Sequence, residues 1–390
     1  MTRVLHISNT DIELDSRIRK ELKALSQLPG VQVSVLGVPD AAVNGAAELD
    51  GAHYRKLRLA SRALKVFPRA VRYFFQMIEF TFRAVAAGRR LNPEIVHCHD
   101  TFALPAGRIL KKQFDCRLIY DTHELESDKN AQNAILSWAT LLIEKVCWKQ
   151  VDLLISVSDS IIDWYMRNLG AKPSVLVLNS PAIAADFGAR LDANGRGTYF
   201  HEKFRIPAGS PVFVYLGMLG RGRGIEICLD AFAAAPNDAH VVFIGFGRLE
   251  QKITEYASRH PNIHFHQAVP HDQVVSLVRS ADYGLCLIER TSLSAYYCLP
   301  NKLFEYSFAR IPVLASSFPE ISRLVERYSL GVCCNPDPDS VRAALNELTI
   351  CRPVRITSDI TALSWEAQAS RLTAAYRDQL MVPLRSRPAT

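Results

Sequence analysis

Short apolar runs recur along this chain of 390 residues, each followed by a stretch with helical spacing. That alternation restricts the fold more than any other feature of the sequence. Strands that are apolar throughout belong to parallel sheets covered on both faces. In the first half the runs are Arg3–Ile7, Gln32–Gly37, Ile95–His97, Leu118–Asp121, Leu153–Val157 and Ser174–Leu178. In the second half they are Val212–Leu216, His240–Ile244, Ile263–Phe265, Tyr283–Leu287, Val313–Ala315 and Gly331–Cys333. Two such series predict an α/β protein of two doubly wound units, not one barrel, and the length gives each unit an ample core. The expected division is residues 1–180, a linker at 181–209 and a second unit at 210–364. The linker is weakly periodic and rich in Gly, Ala and Pro, and Trp365–Gln379 reads as a closing helix. Ligands of open parallel sheets sit at the C-terminal ends of the strands. With two such sheets facing each other, the cleft between them is the expected site.

The composition excludes several classes of protein. A hydrophobic content of 48% with 22% charged residues is ordinary for a soluble globular chain. The net charge of +7 favours anionic partners such as nucleotides, phospholipid surfaces or nucleic acid. No run of five or six like charges and no recognition motif supports nucleic acid, so none is expected. Nine cysteines are scattered, with no CxxC and no Cys/His cluster at zinc spacing. Buried, reduced thiols in a cytoplasmic protein are the expectation. The opening MTRVLHISNT lacks the apolar core of a signal peptide, and no window reaches 18 uninterrupted apolar residues.

CLPNKLFEYSFARIPVLASSFPEI (Cys298–Ile321) is the segment richest in chemistry. Pro300 suits a helix start, and Lys302 and Glu305, three apart, share a helical face. A helix N-terminus is an anion site, and a carboxylate one turn further in can accept from sugar hydroxyls. A diphosphate at the helix tip with a ribose at Glu305 is one reading; a packed helix with a solvated Lys and Glu is the other. YLGMLGRGRGIE (Tyr215–Glu226) gives a flexible loop in which Arg221 and Arg223 suit phosphate. The GxG of Gly245 and Gly247 alone is weak evidence for a dinucleotide fingerprint.

In the first half, HCHD (His97, Cys98, His99, Asp100) and THE (Thr122, His123, Glu124) follow successive strands and would converge on one cleft wall. A metal at His97, His99 and His123 lacks an accompanying carboxylate or Cys pattern, and none is expected. Asp15 and Ser16 suit helix caps, with Arg17 in the first turn, either solvated or on the acceptor side. Across Arg58–Arg90, Arg58, Arg62, Lys65, Arg69 and Arg72 interleave with Leu64, Val66, Phe67, Val71, Phe74 and Phe75. Such a segment either lies at an anionic membrane surface or packs its apolar face on its own domain.

Taken together, these residues resemble glycosyltransferase family 4, retaining GT-B enzymes that use nucleotide-activated sugars. The resemblance runs over nearly the whole chain, and its PNKLFEY form is similar to enzymes of capsule, O-antigen and exopolysaccharide synthesis. It implies two Rossmann-like domains facing a cleft, with the C-terminal helix (365–390) returning to the N-terminal, acceptor-side domain. It further implies Glu305 on the donor ribose and the backbone of Leu299, Asn301 and Lys302 on the diphosphate, with Arg223 in the place of a phosphate-binding Lys and Arg221 assisting. Gly245 and Gly247 would lie near the donor nucleoside and His123 near the transferred sugar. Arg17, His99 and Asp100 would lie on the acceptor side. No cofactor or metal is implied. Two positions depart from the family pattern: Tyr297 stands where an upstream carboxylate is usual, and Met218 where an Arg follows Gly217.

The expected function is retaining transfer from a nucleotide-diphosphate sugar to a hydroxyl of a glycan or lipid-linked acceptor. Its setting would be cell-surface polysaccharide synthesis, in the cytoplasm or at the inner face of the plasma membrane. The alternatives are a non-catalytic GT-B homologue acting as a binding or scaffold subunit, and a GT-B sugar-nucleotide epimerase or phosphorylase.

Overall fold

In a computed structural model the protein is described over residues 1–39, 46–64, 66–130, 132–182, 197–234, 238–350 and 355–380. The chain divides into two compact units, Met1–Leu178 with Glu366–Thr390, and Asn179–Trp365. The first unit runs β1 (Thr2–Ile7), α1 (Ser16–Ser26), β2 (Val31–Gly37), β3 (Ala46–Leu49), β4 (Ala52–Lys56), α2 (Arg69–Leu91), β5 (Ile95–His99) and α3 (Asp100–Phe114). It continues with β6 (Arg117–Thr122), α4 (Ala134–Trp148), β7 (Leu153–Ser156), α5 (Asp159–Leu169) and β8 (Ser174–Leu176). Its eight strands are ordered β3-β4-β2-β1-β5-β6-β7-β8 and are parallel except for β3 against β4. The chain winds one way from β1 to β2 and β4, then crosses back through β5, β6 and β7. Right-handed crossovers therefore put α1 on one face and α2, α3 and α4 side by side on the other.

The second unit runs α6 (Tyr199–Phe204), β9 (Val212–Leu216), α7 (Ile225–Ala233), β10 (His240–Gly245), α8 (Glu250–Ala257), β11 (Ile263–Gln267), α9 (His271–Val278) and β12 (Tyr283–Cys286). Then come α10 (Leu293–Tyr296), α11 (Asn301–Phe308), β13 (Val313–Ser316), α12 (Pro319–Tyr328), β14 (Gly331–Cys334) and α13 (Pro338–Ile350). Its six parallel strands are ordered β11-β10-β9-β12-β13-β14. Phe213, Tyr215, Phe232, Phe243 and Leu285 are among the fully buried core residues, each contributing about 1.5–3 kcal/mol of burial. Helix α14 (Trp365–Ala375) and a π-helical turn (Tyr376–Leu380) close the described chain, in the first unit from Glu366 onward.

Three sequence expectations need correction. The β3–β4 hairpin was not anticipated, although its turn is Asp50-Gly51 with φ of 52° and 81°, the left-handed pair that a two-residue hairpin needs. Strand β5 runs on to His99, so His97 and His99 lie within the strand and not after it. The C-terminal part of the expected linker folds as α6: Phe200 is fully buried, Phe204 stacks on His264, and the Tyr199 hydroxyl lies 2.8 Å from His266 Nε2. Residues 183–196 of that segment lie outside the described residues. No helix among the described residues is long and apolar enough to cross a membrane.

Candidate functional site

The first unit carries a buried polar cluster at the C-terminal ends of its central strands. Strand register puts His6 beside His97 and His99 beside Asp121, and alternation puts His97 and His99 on one face. Helix α1 meets that face. The Asp15 carboxylate caps it, accepting from the N–H groups of Arg17 and Ile18 at 3.1 Å each. Arg17 and Glu21, one turn apart, then point inward and are buried. Arg17 Nη2 donates to Asp121 Oδ1 at 3.0 Å and Nη1 to the Val177 carbonyl at 2.9 Å. The His6 and His99 rings stack on His97 at 4.3 and 4.4 Å, and the Tyr376 hydroxyl lies 2.7 Å from His97 Nδ1.

The protonation pattern follows from this packing. Burial and neighbouring imidazoles hold His6 well below its usual range and bring His97 down to about 3; burial also lowers His99. All three rings are neutral at pH 7. Burial opposes the Asp121 charge, but Arg17 and His123 outweigh it and hold the carboxyl well below its usual range. Burial and the Asp121 charge push Glu21 up to about 8. Arg17–Asp121 is thus the ion pair, and Glu21, with Oε1 3.1 Å from Arg17 Nε, is its protonated neighbour. The ligand atoms of His6, Glu21, His97 and His99 lie close enough to hold an ion, as do those of His99, Asp121 and His123. However, His6 Nδ1 and His99 Nε2 already meet at 2.9 Å, and the Arg17 guanidinium already lies against both carboxylates.

His123 is the partly open member of the histidine group, with its side chain 21% exposed. Its Nε2 lies 3.3 Å from Asp121 Oδ2 and its Nδ1 3.8 Å from Asp100 Oδ1, the latter beyond hydrogen-bond reach. Burial lowers its pKa, but Asp100 and Asp121 outweigh that and raise it to about 10. Asp100 opens α3 at φ 59°, a left-handed conformation that Asp tolerates better than most residues. A pocket of about 330 Å³ adjoins this carboxylate, walled in part by Asn9, Tyr73, Glu126, Lys129 and Thr140.

In the second unit, the loops after β9, β10 and β12 are tied together at the C-terminal edge of the sheet. Gly217 N–H donates to the Ile244 carbonyl and Leu219 N–H to that of Phe246. Glu289 takes part from the loop after β12: its carboxylate accepts from Gly224 N–H at 3.2 Å and its own N–H donates to the Gly222 carbonyl. Arg221 and Arg223 are exposed on the loop so held. Helix α11 docks beneath it. The Tyr306 hydroxyl donates to the Val214 carbonyl at 3.0 Å and accepts from Leu216 N–H at 2.9 Å. Pro300 stands at the cap position, one residue before the helix.

Lys302 is 6% and Glu305 7% exposed, so neither is the solvated side chain of the plainer alternative. Lys302 Nζ stands 3.6 Å from the Tyr215 ring centroid and has no hydrogen-bond partner among the described residues. A buried ammonium whose hydrogen-bond donors are unused is costly unless an anion meets it.

The glycines of the GxG have a structural reason. At φ 151° and 149°, added Cβ atoms on Gly245 and Gly247 would lie 1.9 Å from the Gly217 carbonyl oxygen and 2.4 Å from that of Leu219. Gly245→Ala is expected to cost about 1–3 kcal/mol and to loosen the arginine loop, read as a lower urea midpoint. An unchanged midpoint would show that the loops do not press on each other.

Two expected acceptor-side residues are inside the protein: Arg17 is 2% exposed and His99 fully buried. Each is held by Asp121, and β5 continues because that partner satisfies its polar end. Asp100 and His123 reach a surface in the first unit. Arg221, Arg223, Leu299, Asn301, Lys302 and Glu305 lie on the loop and helix start of the second. Sequence reasoning missed His6, Asp121 and Tyr376, which no local spacing connects, and Glu21, whose i,i+4 spacing from Arg17 was legible. Glu126 and Lys129, three residues apart and paired at 2.6 Å, carried an i,i+3 signal.

Two doubly wound parallel-sheet units of this kind form the GT-B architecture, and known structures bear this out. A sucrose-phosphate synthase from Thermosynechococcus elongatus is similar at a TM-score of 0.76 and 18% identity, covering 97% of this chain and 98% of that one. The lipopolysaccharide outer core galactosyltransferase WaaB in its apo form is similar at 0.68 and 13%, covering 97% and 100%. Anabaena HepE in complex with UDP and glucose is similar at 0.63 and 13%, covering 97% and 96%. No curated protein matches the sequence significantly.

Residues 16–182 match the glycosyl transferase 4-like domain and residues 210–349 the glycosyl transferases group 1 domain. The chain belongs to this family of GT-B glycosyltransferases.

Proposed function

We propose that the protein moves a sugar, with retention of configuration, from a nucleotide-diphosphate sugar to a hydroxyl of a glycan or lipid-linked acceptor in cell-surface polysaccharide synthesis. The observation that carries this reading is Lys302: a buried ammonium with unused donors in the first turn of α11, one turn before the Glu305 carboxylate. The diphosphate takes the Asn301 and Lys302 N–H groups at that helix start, with the Lys302 ammonium, Arg221 and Arg223 offsetting the charge that grows on it as the bond to the sugar breaks. Glu305 accepts from the ribose hydroxyls. The similar Anabaena structure holds UDP and glucose, ligands of this chemistry.

His123 takes a narrower role than the sequence allowed. Protonated at neutral pH, it neither stabilises positive charge on the sugar nor serves as a base; it orients the donor sugar as a charged hydrogen-bond donor.

Titration with UDP-, GDP- and other nucleotide sugars tests the reading. One nucleotide class is expected to raise the melting temperature while free phosphate does not. Glu305→Ala is expected to weaken that nucleotide by about 10–100-fold, the loss of one or two hydrogen bonds to a charged group. Stabilisation by no nucleotide, or an unchanged affinity in the variant, would remove the proposal.

A further inference from the structure

Helix α2 is apolar on two opposite sides. Phe80, Ala84 and Ala87 are buried. Val71, Phe74, Phe75, Ile78 and Phe82, spaced i, i+3, i+4, i+7 and i+11, share the other face and are 38–73% exposed. Helix α4 repeats the pattern. Thr140, Glu144 and Cys147 face inward, and Ile135, Trp138, Leu142 and Val146 lie outward at 44–68% exposure. Between them α3 adds Ile109. Single exposed apolar side chains are ordinary, but two stripes on neighbouring helices form a patch of the kind that marks an interaction surface. Here sequence alone left packing on its own domain open for the α2 stripe. The fold closes that option, because the opposite side of α2 does the packing.

The charges on these helices say what covers the patch. On α2, Arg72, Arg83, Arg89 and Arg90 stand against one carboxylate, Glu79. That group is already held by the N–H groups of Ala60 and Ser61 and by the Arg83 guanidinium. Lys145 on α4 and Lys149 at its C-cap are exposed, whereas Glu144 is buried, accepting from the hydroxyls of Tyr120 and Tyr165 at 2.6 and 2.5 Å. The surface is therefore aromatic and aliphatic, edged by cations. A second copy laid on it face to face would set cation against cation. An anionic lipid surface accepts both parts, with rings at headgroup depth and Arg and Lys on the phosphates. The pocket beside Asp100 is walled by Tyr73 of α2, Phe102 of α3, and Leu136 and Thr140 of α4, so the same three helices run from this surface toward His123.

We propose that the outer face of α2, α3 and α4 is a docking surface for an anionic lipid bilayer. It differs from the basic-segment reading of Arg58–Arg90 in two ways. Its apolar anchors lie on α4 as well as α2, and Arg62, whose guanidinium donates to the Pro39 carbonyl, is not among its cations.

Flotation of the full chain with vesicles tests the proposal without donor or acceptor, so its outcome is separate from that of the transferase reading. The protein is expected to float with phosphatidylglycerol–phosphatidylcholine vesicles, less so in high salt, and weakly with phosphatidylcholine alone. Phe74→Ser with Phe82→Ser, and independently Ile135→Ser with Trp138→Ser, are each expected to lower partitioning by about tenfold at an unchanged melting temperature. Wild-type protein that fails to float with anionic vesicles would overturn the proposal, as would full binding by both paired variants. A lipid-free dimer dispersed by these same variants would also overturn it, assigning the face to a second copy.

Discussion

Replacing Asp121 with alanine is expected to destabilise the first unit by about 3–5 kcal/mol, the usual cost of removing one partner from a buried ion pair. The substitution leaves the Arg17 guanidinium, 2% exposed, with the Val177 carbonyl and a protonated Glu21. Glu21 is expected to give up its proton and take over part of the pairing. Combining Asp121→Ala with Glu21→Gln should therefore cost more than the sum of the two, while Glu21→Gln alone, which imitates the protonated acid, should cost little. A loss below about 1 kcal/mol in urea unfolding of Asp121→Ala would show that Arg17 does not depend on this carboxylate.

The same assignment fixes a pH signature. Glu21 is raised from 4.5 to about 8 in the fold. Its contribution is then fully present below pH 4.5 and is lost as pH rises through 8. Glu21→Gln should gain on the wild type across that window, and a constant difference between them would mean that Glu21 is ionised throughout.

Replacing His123 with alanine is expected to lower the transfer rate by about 10²–10³-fold, as for the loss of one placed donor. The sign of the pH dependence separates its possible roles. Asp100 and Asp121 raise its pKa above the ordinary 6.5, to about 10. The charged form and the stability it contributes are complete below 6.5 and fade as pH rises through 10. Activity that depends on the imidazolium should hold from neutral pH to about 9 and fall beyond. An acid limb near pH 6.5 that vanishes in the variant would instead make His123 a base and sink the donor role.

Much of the fold is legible in the sequence because central strands of a doubly wound sheet, such as β9, β10 and β7, are largely apolar runs. The Val212–Leu216 run is the whole of β9, and the Ile95–His97 run fails only at its end, where Cys98 and polar His99 continue the strand. The Asp50-Gly51 hairpin shows a legible signal passed over. The second-unit loop and helix start were readable because their chemistry is local, with Lys302 and Glu305 on one turn and Arg221 and Arg223 in one loop. The first-unit cluster was not, since its members come from β1, α1, β5, β6 and the chain end, and only strand register sets His6 beside His97.

What the sequence determined by itself is therefore whatever short-range spacing encodes: two series of buried strands, a basic glycine loop, and a helix start with a cation and a carboxylate on one face. Tertiary structure alone decided the electrostatics and the surfaces. Whether Arg17 is a solvated charge or half of a buried pair depends on Asp121, more than a hundred residues away. Whether the α2 stripe is core or surface depends on which side of the helix meets the sheet. Burial and long-range pairing set a group's charge and what it can touch, and neither is written in neighbouring letters.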